Sequence, residues 1–307
     1  MNSDQTPVEI EPRLLGASRL LWPVKRWKRM ALSVVIVLGM ALVGVSCALR
    51  NAAMPAPAEG IARKSYLVTT PAGEYEVSYL IAERANSPRV IFIHGTPGDA
   101  TNFRRYVERP IDGAEVISVD RPGFGDTLPK GAQPSFAEQA AVLEPLLTAR
   151  PGADGRPQWP ILVGHSLGGP IAAWAAAEWP ERVGGLVILA GSFDPSQEEP
   201  AWFNHVAGSP IVRWTLSEAL AHSNDEIMAA RKETEALQGR LDDVTCPVIW
   251  LHGRKDTLVP FDNTNFAKEQ MRNVAWWRLV EWPEEGHFIP WTREADVRAA
   301  VEALLKR

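Results

Sequence analysis

Residues 161–169, ILVGHSLGG, decide how this chain is read: a short apolar run ends there in a G-x-S-x-G pentapeptide and passes at once into IAAWAAAEW (171–179). The Val and Ile before the pentapeptide suit a strand, and the alanine-rich stretch behind it suits a helix that stops before Pro180. A strand-to-helix turn this tight needs small neighbours. Gly164 and Gly168 supply them, so that the chain can bend while the hydroxyl of Ser166 stands clear. In that context Ser166 is the candidate nucleophile, and the helix N-terminus beneath it favours developing negative charge.

A serine at neutral pH is a weak nucleophile, so a base and a group that orients the base must stand elsewhere in the chain. His287 lies in EEGHFIP after the last expected strand, and Asp256 in HGRKDTLVP after the strand before it. Singly, Asp256 reads as a turn-forming carboxylate and His287 as a surface histidine. Together with Ser166, in the order Ser, Asp, His, they read as a triad. Asp194 is a second-choice acid. HGTPG (94–98) also follows a strand, and its glycines let a loop approach a substrate. The Thr96 N–H is therefore the expected first oxyanion donor and the Leu167 N–H the second, since Pro97 has no N–H to offer. DRPGFGDT, starting at Asp120, is expected to build a turn in which Gly123 and Gly125 take angles other residues avoid, with no catalytic role. His165, His205, His222 and His252 are read as structural, because none has metal-ligand spacing.

Working outward, SYLVTT (65–70) and YEVSYLIA (75–82) flank Pro71-Ala72-Gly73 as a hairpin. RVIFIHG, AEVISVD, PILVGHS, GGLVILAG, CPVIWLHG and WWRLVEW follow as short, Val- and Ile-rich runs of the kind buried on both faces of a parallel sheet. Helical stretches such as FAEQAAVLEPLL (136–147) alternate with them, which implies a doubly wound α/β sheet. From about 194 to 240 the rhythm breaks into helical patterns at Trp202–Leu220 and Glu226–Leu237, expected as an inserted cap. Its Trp202, Phe203 and Trp214, with Trp291, point to an apolar pocket.

The chain has 307 residues, enough for one large α/β domain with a buried core. With 46% hydrophobic and 22% charged residues it is neither disordered nor a multi-span membrane protein. Residues 1–29 hold six Lys/Arg against three Asp/Glu, so of the net charge of -5 they carry +3 and leave -8 to the remainder, which excludes nucleic acid as a partner. The two cysteines, Cys47 and Cys246, provide neither a disulfide framework nor a cysteine-ligated metal site, and no metal or organic cofactor is expected.

Met30 to Leu49 is uncharged and apolar, and at about 1.5 Å per residue would span the roughly 30 Å of a bilayer core. Lys25, Arg26, Lys28 and Arg29 precede it while Arg50 alone follows closely, which puts the N-terminus in the cytoplasm and the large domain on the extracytoplasmic, periplasmic side. The expected organisation is a basic stub at 1–29, a transmembrane signal anchor at 30–49, a linker at 50–64 and the catalytic domain at 65–307. A cleaved signal would have a shorter apolar core, about 7–15 residues. A lipoprotein processed at Cys47 is the alternative.

HGTPG, DRPGFG, GHSLGG, HGRKDTLVP and EGHF, in that order over roughly residues 65 to 307, resemble the α/β-hydrolase superfamily. The resemblance implies an eight-stranded, mostly parallel sheet with helices on both faces and a short cap, the triad Ser166, Asp256 and His287, and an oxyanion hole from Thr96 and Leu167. Branches with aspartate at the elbow fit less well, because Ser166 stands there, and what remains is esterase and lipase chemistry. The expectation is a membrane-anchored serine hydrolase of a small, apolar acyl ester. Acyl transfer or amide hydrolysis on the same triad is the alternative within enzymes, and a catalytically silent binding protein on this scaffold the alternative outside them.

Overall fold

The computed structural model describes residues 61–306 apart from residue 153. The stub, the span expected at 30–49, the greater part of the linker and Cys47 lie outside the described residues. Among the described residues no helix is long and apolar enough to cross a membrane.

The chain enters through a hairpin, β1 (Ala62–Thr70) and β2 (Gly73–Ala82), in antiparallel register from Ala62 opposite Ile81 to Thr70 opposite Gly73. β1 thus begins inside the segment expected as linker. β3 (Arg89–Ile93), β4 (Glu115–Val119), a small ladder of β5 (Arg150–Pro151) with β6 (Pro157–Gln158), β7 (Ile161–His165), β8 (Gly185–Leu189), β9 (Val248–Gly253) and β10 (Trp277–Trp282) follow. The main sheet has eight strands in the order β1-β2-β4-β3-β7-β8-β9-β10, antiparallel at β1, β2 and β4 and parallel from β4 onward.

β3, β4, β7, β8 and β9 are buried along their whole length, which is why they read as continuous apolar runs rather than alternating ones. WWRLVEW differs from expectation: β10 is an edge strand with a part-exposed face, so its Arg278 and Glu281 reach solvent. Apolar clusters form on both sides of the sheet. One is centred on Ile91, Leu162, Ile188 and Trp250, and the other on Phe92, Val163, Val187 and Leu251, as alternate residues of each strand point to opposite faces.

The helix expected over 136–147 ends at Ala141 and gives way to a 3-10 turn at Glu144–Leu146, because Pro145 cannot donate the next helical hydrogen bond. Between β8 and β9 the insertion forms Trp202–Ala207, Pro210–Thr215 and the long helix Glu218–Gln238. Pro210 and the cap of Ser217 on the Leu220 N–H divide what the sequence suggested as one element.

The chain runs from β3 outward to β4, then crosses back over β3 to β7 and proceeds the other way to β10. At such a reversal the loops after the two central strands separate and leave a crevice above their carboxyl ends. HGTPG leaves β3 and GHSLGG leaves β7 at this place.

Candidate active site

Ser166 takes a φ of 53°, a left-handed conformation that costs a non-glycine residue energy and is retained only where surrounding structure imposes it. The imposition is visible: the Ser166 N–H donates to Leu189 O at 2.9 Å, and the Gly169 N–H donates to Ser166 O at 3.0 Å. A Cβ on Gly164 would stand 2.3 Å from Gly168 O, and one on Gly168 would stand 2.3 Å from Ile93 O. The glycines are therefore required by close approach of the elbow to its own helix and to β3. The helix Gly168–Glu178 starts directly behind.

Asp256 and His287 come from the loops after β9 and β10, and His287 Nδ1 lies 2.7 Å from Asp256 Oδ2. A carboxylate can only accept, so Nδ1 carries the hydrogen and Nε2 is left with a lone pair. The other carboxylate oxygen accepts from the Leu258 N–H at 2.9 Å and the Val259 N–H at 2.8 Å. Burial opposes ionisation of Asp256, but hydrogen bonds from His252, His287 and the Val259 backbone outweigh it and hold the carboxyl far below the usual carboxylate range. Ser166, His287, Thr96 and Leu167 line one cavity of about 500 Å³. The Thr96 and Leu167 N–H groups have no acceptor among the described residues. Ser166 and His287 are not hydrogen-bonded to each other in this structure, a looseness common before substrate tightens such sites.

Several supporting residues were read as structural or not singled out. His252 Nδ1 accepts from the Trp250 indole N–H at 3.0 Å, which leaves Nε2–H to point at Val259 O, 3.0 Å away, and at Asp256 Oδ2, 3.4 Å away. The imidazole thereby braces the loop that carries the acid. His165, beside the elbow serine in sequence, donates from Nε2 to the His287 carbonyl at 3.1 Å and meets the edge of Trp291. Burial, with the neighbouring His287 adding to it, pushes His165 down to about 3, so it stays a neutral spacer.

The DRPGFG loop does turn on Gly123 and Gly125, both with positive φ, but it also carries an arginine into the interior. Arg121 donates to both oxygens of Glu226, at 2.6 and 3.1 Å, and to Gly95 O at 2.9 Å. Gln139 joins the pair, donating to Glu226 at 2.7 Å. Glu226 sits on the long helix Glu218–Gln238, so a fully buried ion pair ties the insertion to the carbonyl immediately before Thr96. The nearby His94 accepts the Arg121 N–H on Nε2 at 3.2 Å, with Nδ1 facing Gly95 O at 2.7 Å. No periodicity reports such a contact, since its partners lie in three separate segments; an arginine between a buried strand and a Pro-Gly turn was the available signal.

Other expectations fare differently. Asp194 accepts from Ser196 and Gln197 and caps a short turn, and it makes no contact with His287. Trp202, Phe203 and Trp214 are 77%, 57% and 78% exposed and do not line the cavity, because the short helices that bear them turn those faces outward. Of the expected aromatic residues only Trp291 lines it, and its apolar wall is completed by Ile227, Leu258, Val259 and Phe288.

Residues 90–301 match the family described as Alpha/beta hydrolase family. A dihydrolipoyllysine-residue acetyltransferase component of an acetoin cleaving system from Cupriavidus necator is 31% identical over 33% of this chain, a match that spans only 26% of that relative. A 2-hydroxy-6-oxononadienedioate/2-hydroxy-6-oxononatrienedioate hydrolase from Pseudomonas sp. is 28% identical over 66% of this chain and 83% of its own length. Among solved structures, an esterase from Exiguobacterium antarcticum shares the fold with a TM-score of 0.55 at 20% identity, over 78% of this chain and 99% of that one.

Proposed function

The chain belongs to the α/β-hydrolase family, and on that premise we propose that it is a membrane-anchored hydrolase of carboxylic esters acting through an acyl-enzyme on Ser166. The observation that carries the reading is His287, held by Asp256 at 2.7 Å and lining the cavity where Ser166 stands at its left-handed turn. In this reading His287 Nε2 takes the Ser166 proton as the oxygen attacks the ester carbonyl, while the Thr96 and Leu167 N–H groups stabilise the oxyanion. The imidazolium then protonates the leaving alcohol, and water repeats the sequence on the acyl-enzyme. Asp256, ionised well into acid, keeps the imidazole in the tautomer that the first step requires.

Ester cleavage is favoured over chemistry on dicarboxylates such as the Pseudomonas relative's name describes, because among the described residues no Lys or Arg lines this cavity to receive a carboxylate. Acyl transfer to an alcohol is the second reading, favoured by the acetyltransferase component among the relatives. Chromogenic esters of graded acyl length, offered to the full chain and to Ser166→Ala with and without competing alcohols, separate these readings. Ser166-dependent release into water supports hydrolysis, and acyl alcohol products support transfer.

The apolar, uncharged stretch 30–49 with four basic residues just before it supports a single anchor that retains the catalytic domain outside the cytoplasm. A reporter fused after Arg307 should then be active only on the extracytoplasmic side, and cytoplasmic activity would reverse the orientation.

A further inference from the structure

The cavity that holds Ser166 and His287 is walled in part by Ser192, Gln197, Glu198, Glu199 and Ile227, all from the segment between β8 and β9. Two of these are acidic, and they differ in how their charge is met. Glu199 reaches outward to Arg231, at 3.0 Å, and is largely solvated. Glu198 is half-buried, and among the described residues it has a hydroxyl for a partner but no cation. The Ser192 hydroxyl donates to its Oε1, and Ser192 itself is buried in the loop that leaves β8, so the carboxyl is held in one place. Burial pushes this carboxyl above its ordinary range, with the Ser192 hydrogen bond opposing. The carboxyl thus sits in the cavity wall at a cost that folding does not offset by an ion pair.

A carboxylate beside the apolar Ile227, Leu258, Val259 and Phe288, in a wall whose other polar side chains include Asn102, Gln197 and Glu199 and which holds no Lys or Arg among the described residues, makes the cavity selective by charge. It repels a second carboxylate and attracts a cation that has lost part of its water. Resting on the ester-hydrolase reading, we infer that Glu198 is a cation subsite and that the preferred substrate is an ester bearing an ammonium group a few bonds from the scissile carbonyl. The apolar lining beside it suits the methyl or methylene groups of an alkylated ammonium better than a bare, strongly hydrated one. Ser192 acts here as a positioning residue, presenting Glu198 rather than touching the substrate.

The test uses the full chain in a neutral detergent and compares isosteric esters. In the acyl series these are the p-nitrophenyl esters of 4-(trimethylammonio)butanoate, 5,5-dimethylhexanoate and the monoanion of glutarate. In the alcohol series they are butanoate esters of choline and of 3,3-dimethylbutanol. The expected result is a kcat/KM ratio of cationic to neutral ester of about five to ten in one of the two series, the size of one partly screened ion pair, with the glutarate ester slower than its neutral counterpart. The responding series tells whether the ammonium belongs to the acyl or the alcohol side. Glu198→Gln should bring both ratios close to one, and because each is taken within a single protein, loss of folded enzyme cannot imitate the change. Ser166-dependent cleavage of neutral esters with no charge preference, or a preference that survives Glu198→Gln, would overturn the subsite and leave the esterase reading standing. Cleavage of none of the esters would overturn both.

Discussion

Removing the carboxylate of Glu226 should destabilise the protein and, separately, slow its chemistry. Arg121 and Glu226 are 1% and 0% exposed, and Glu226 accepts from Arg121 Nη1 at 2.6 Å, Arg121 Nη2 at 3.1 Å and Gln139 Nε2 at 2.7 Å. Glu226→Ala leaves a buried guanidinium without its counter-charge and the Gln139 amide short of an acceptor, a loss of about 3–5 kcal/mol. For a domain of roughly 150–250 residues each kcal/mol lowers Tm by about 2–4 °C, so the expected fall is on the order of 6–20 °C. The pair as a whole is a different matter: Arg121→Met with Glu226→Leu removes both charges together and replaces them with apolar volume, which is often neutral or stabilising. Thermal unfolding of the parent, the two single variants and the double variant closes the cycle, and the double variant should lose far less than the two singles combined. Stability and activity then separate. The double variant, although folded, no longer holds Gly95 O, which Arg121 contacts at 2.9 Å, so the Thr96 N–H should wander and kcat fall by about ten- to a hundredfold. A Tm change under about 2 °C in Glu226→Ala, or additive losses in the cycle, would refute the buried-pair reasoning.

Asp256→Asn should keep the fold yet lower kcat by about 10³–10⁴, because an amide lets His287 take the wrong tautomer; steady-state kinetics on a neutral ester checks it. Gly168→Ala would put a methyl 2.3 Å from Ile93 O and must displace either β3 or the Leu167 amide, so a drop in Tm together with a drop in kcat is expected, and wild-type values for both would contradict the packing described. Stability should also fall with acid in a defined order. His165, depressed by burial from 6.5 to about 3, and His94, lowered well below 6.5 by burial and by Arg121, bind protons in the unfolded chain before the folded one. Their contribution is therefore complete above pH 6.5 and is lost as pH falls below it, by up to about 1.4 kcal/mol per pH unit for each group. Asp256, with its folded value depressed, adds a loss only below about pH 4. Urea midpoints that stay level from pH 7 to 4.5 would disprove the order.

Much of the fold lies open in the sequence because it rests on local patterns. Eight apolar runs became the eight strands of the sheet, and GHSLGG carries its turn in its own glycines. Where the sequence misleads, a nonlocal or competing term decides. Pro145 shortens a helix whose apolar pattern continues, and β10 lies at an edge although its composition resembles that of a central strand. The tryptophans of the insertion face outward, since an apolar residue announces its transfer free energy but not whether a neighbour exists to receive it.

By itself the sequence determined the order along the chain of the candidate residues, Ser166, then Asp256, then His287, and the small residues without which the elbow could not bend. Only the tertiary structure decided that His252 and His165 contact Asp256 and His287, that Arg121 and Glu226 fasten the insertion to the loop before Thr96, and that Glu198 faces the same cavity as Ser166. Periodicity and turn chemistry are written within a few neighbouring residues, whereas a buried charge acquires its partner only when segments separated by up to 105 positions meet.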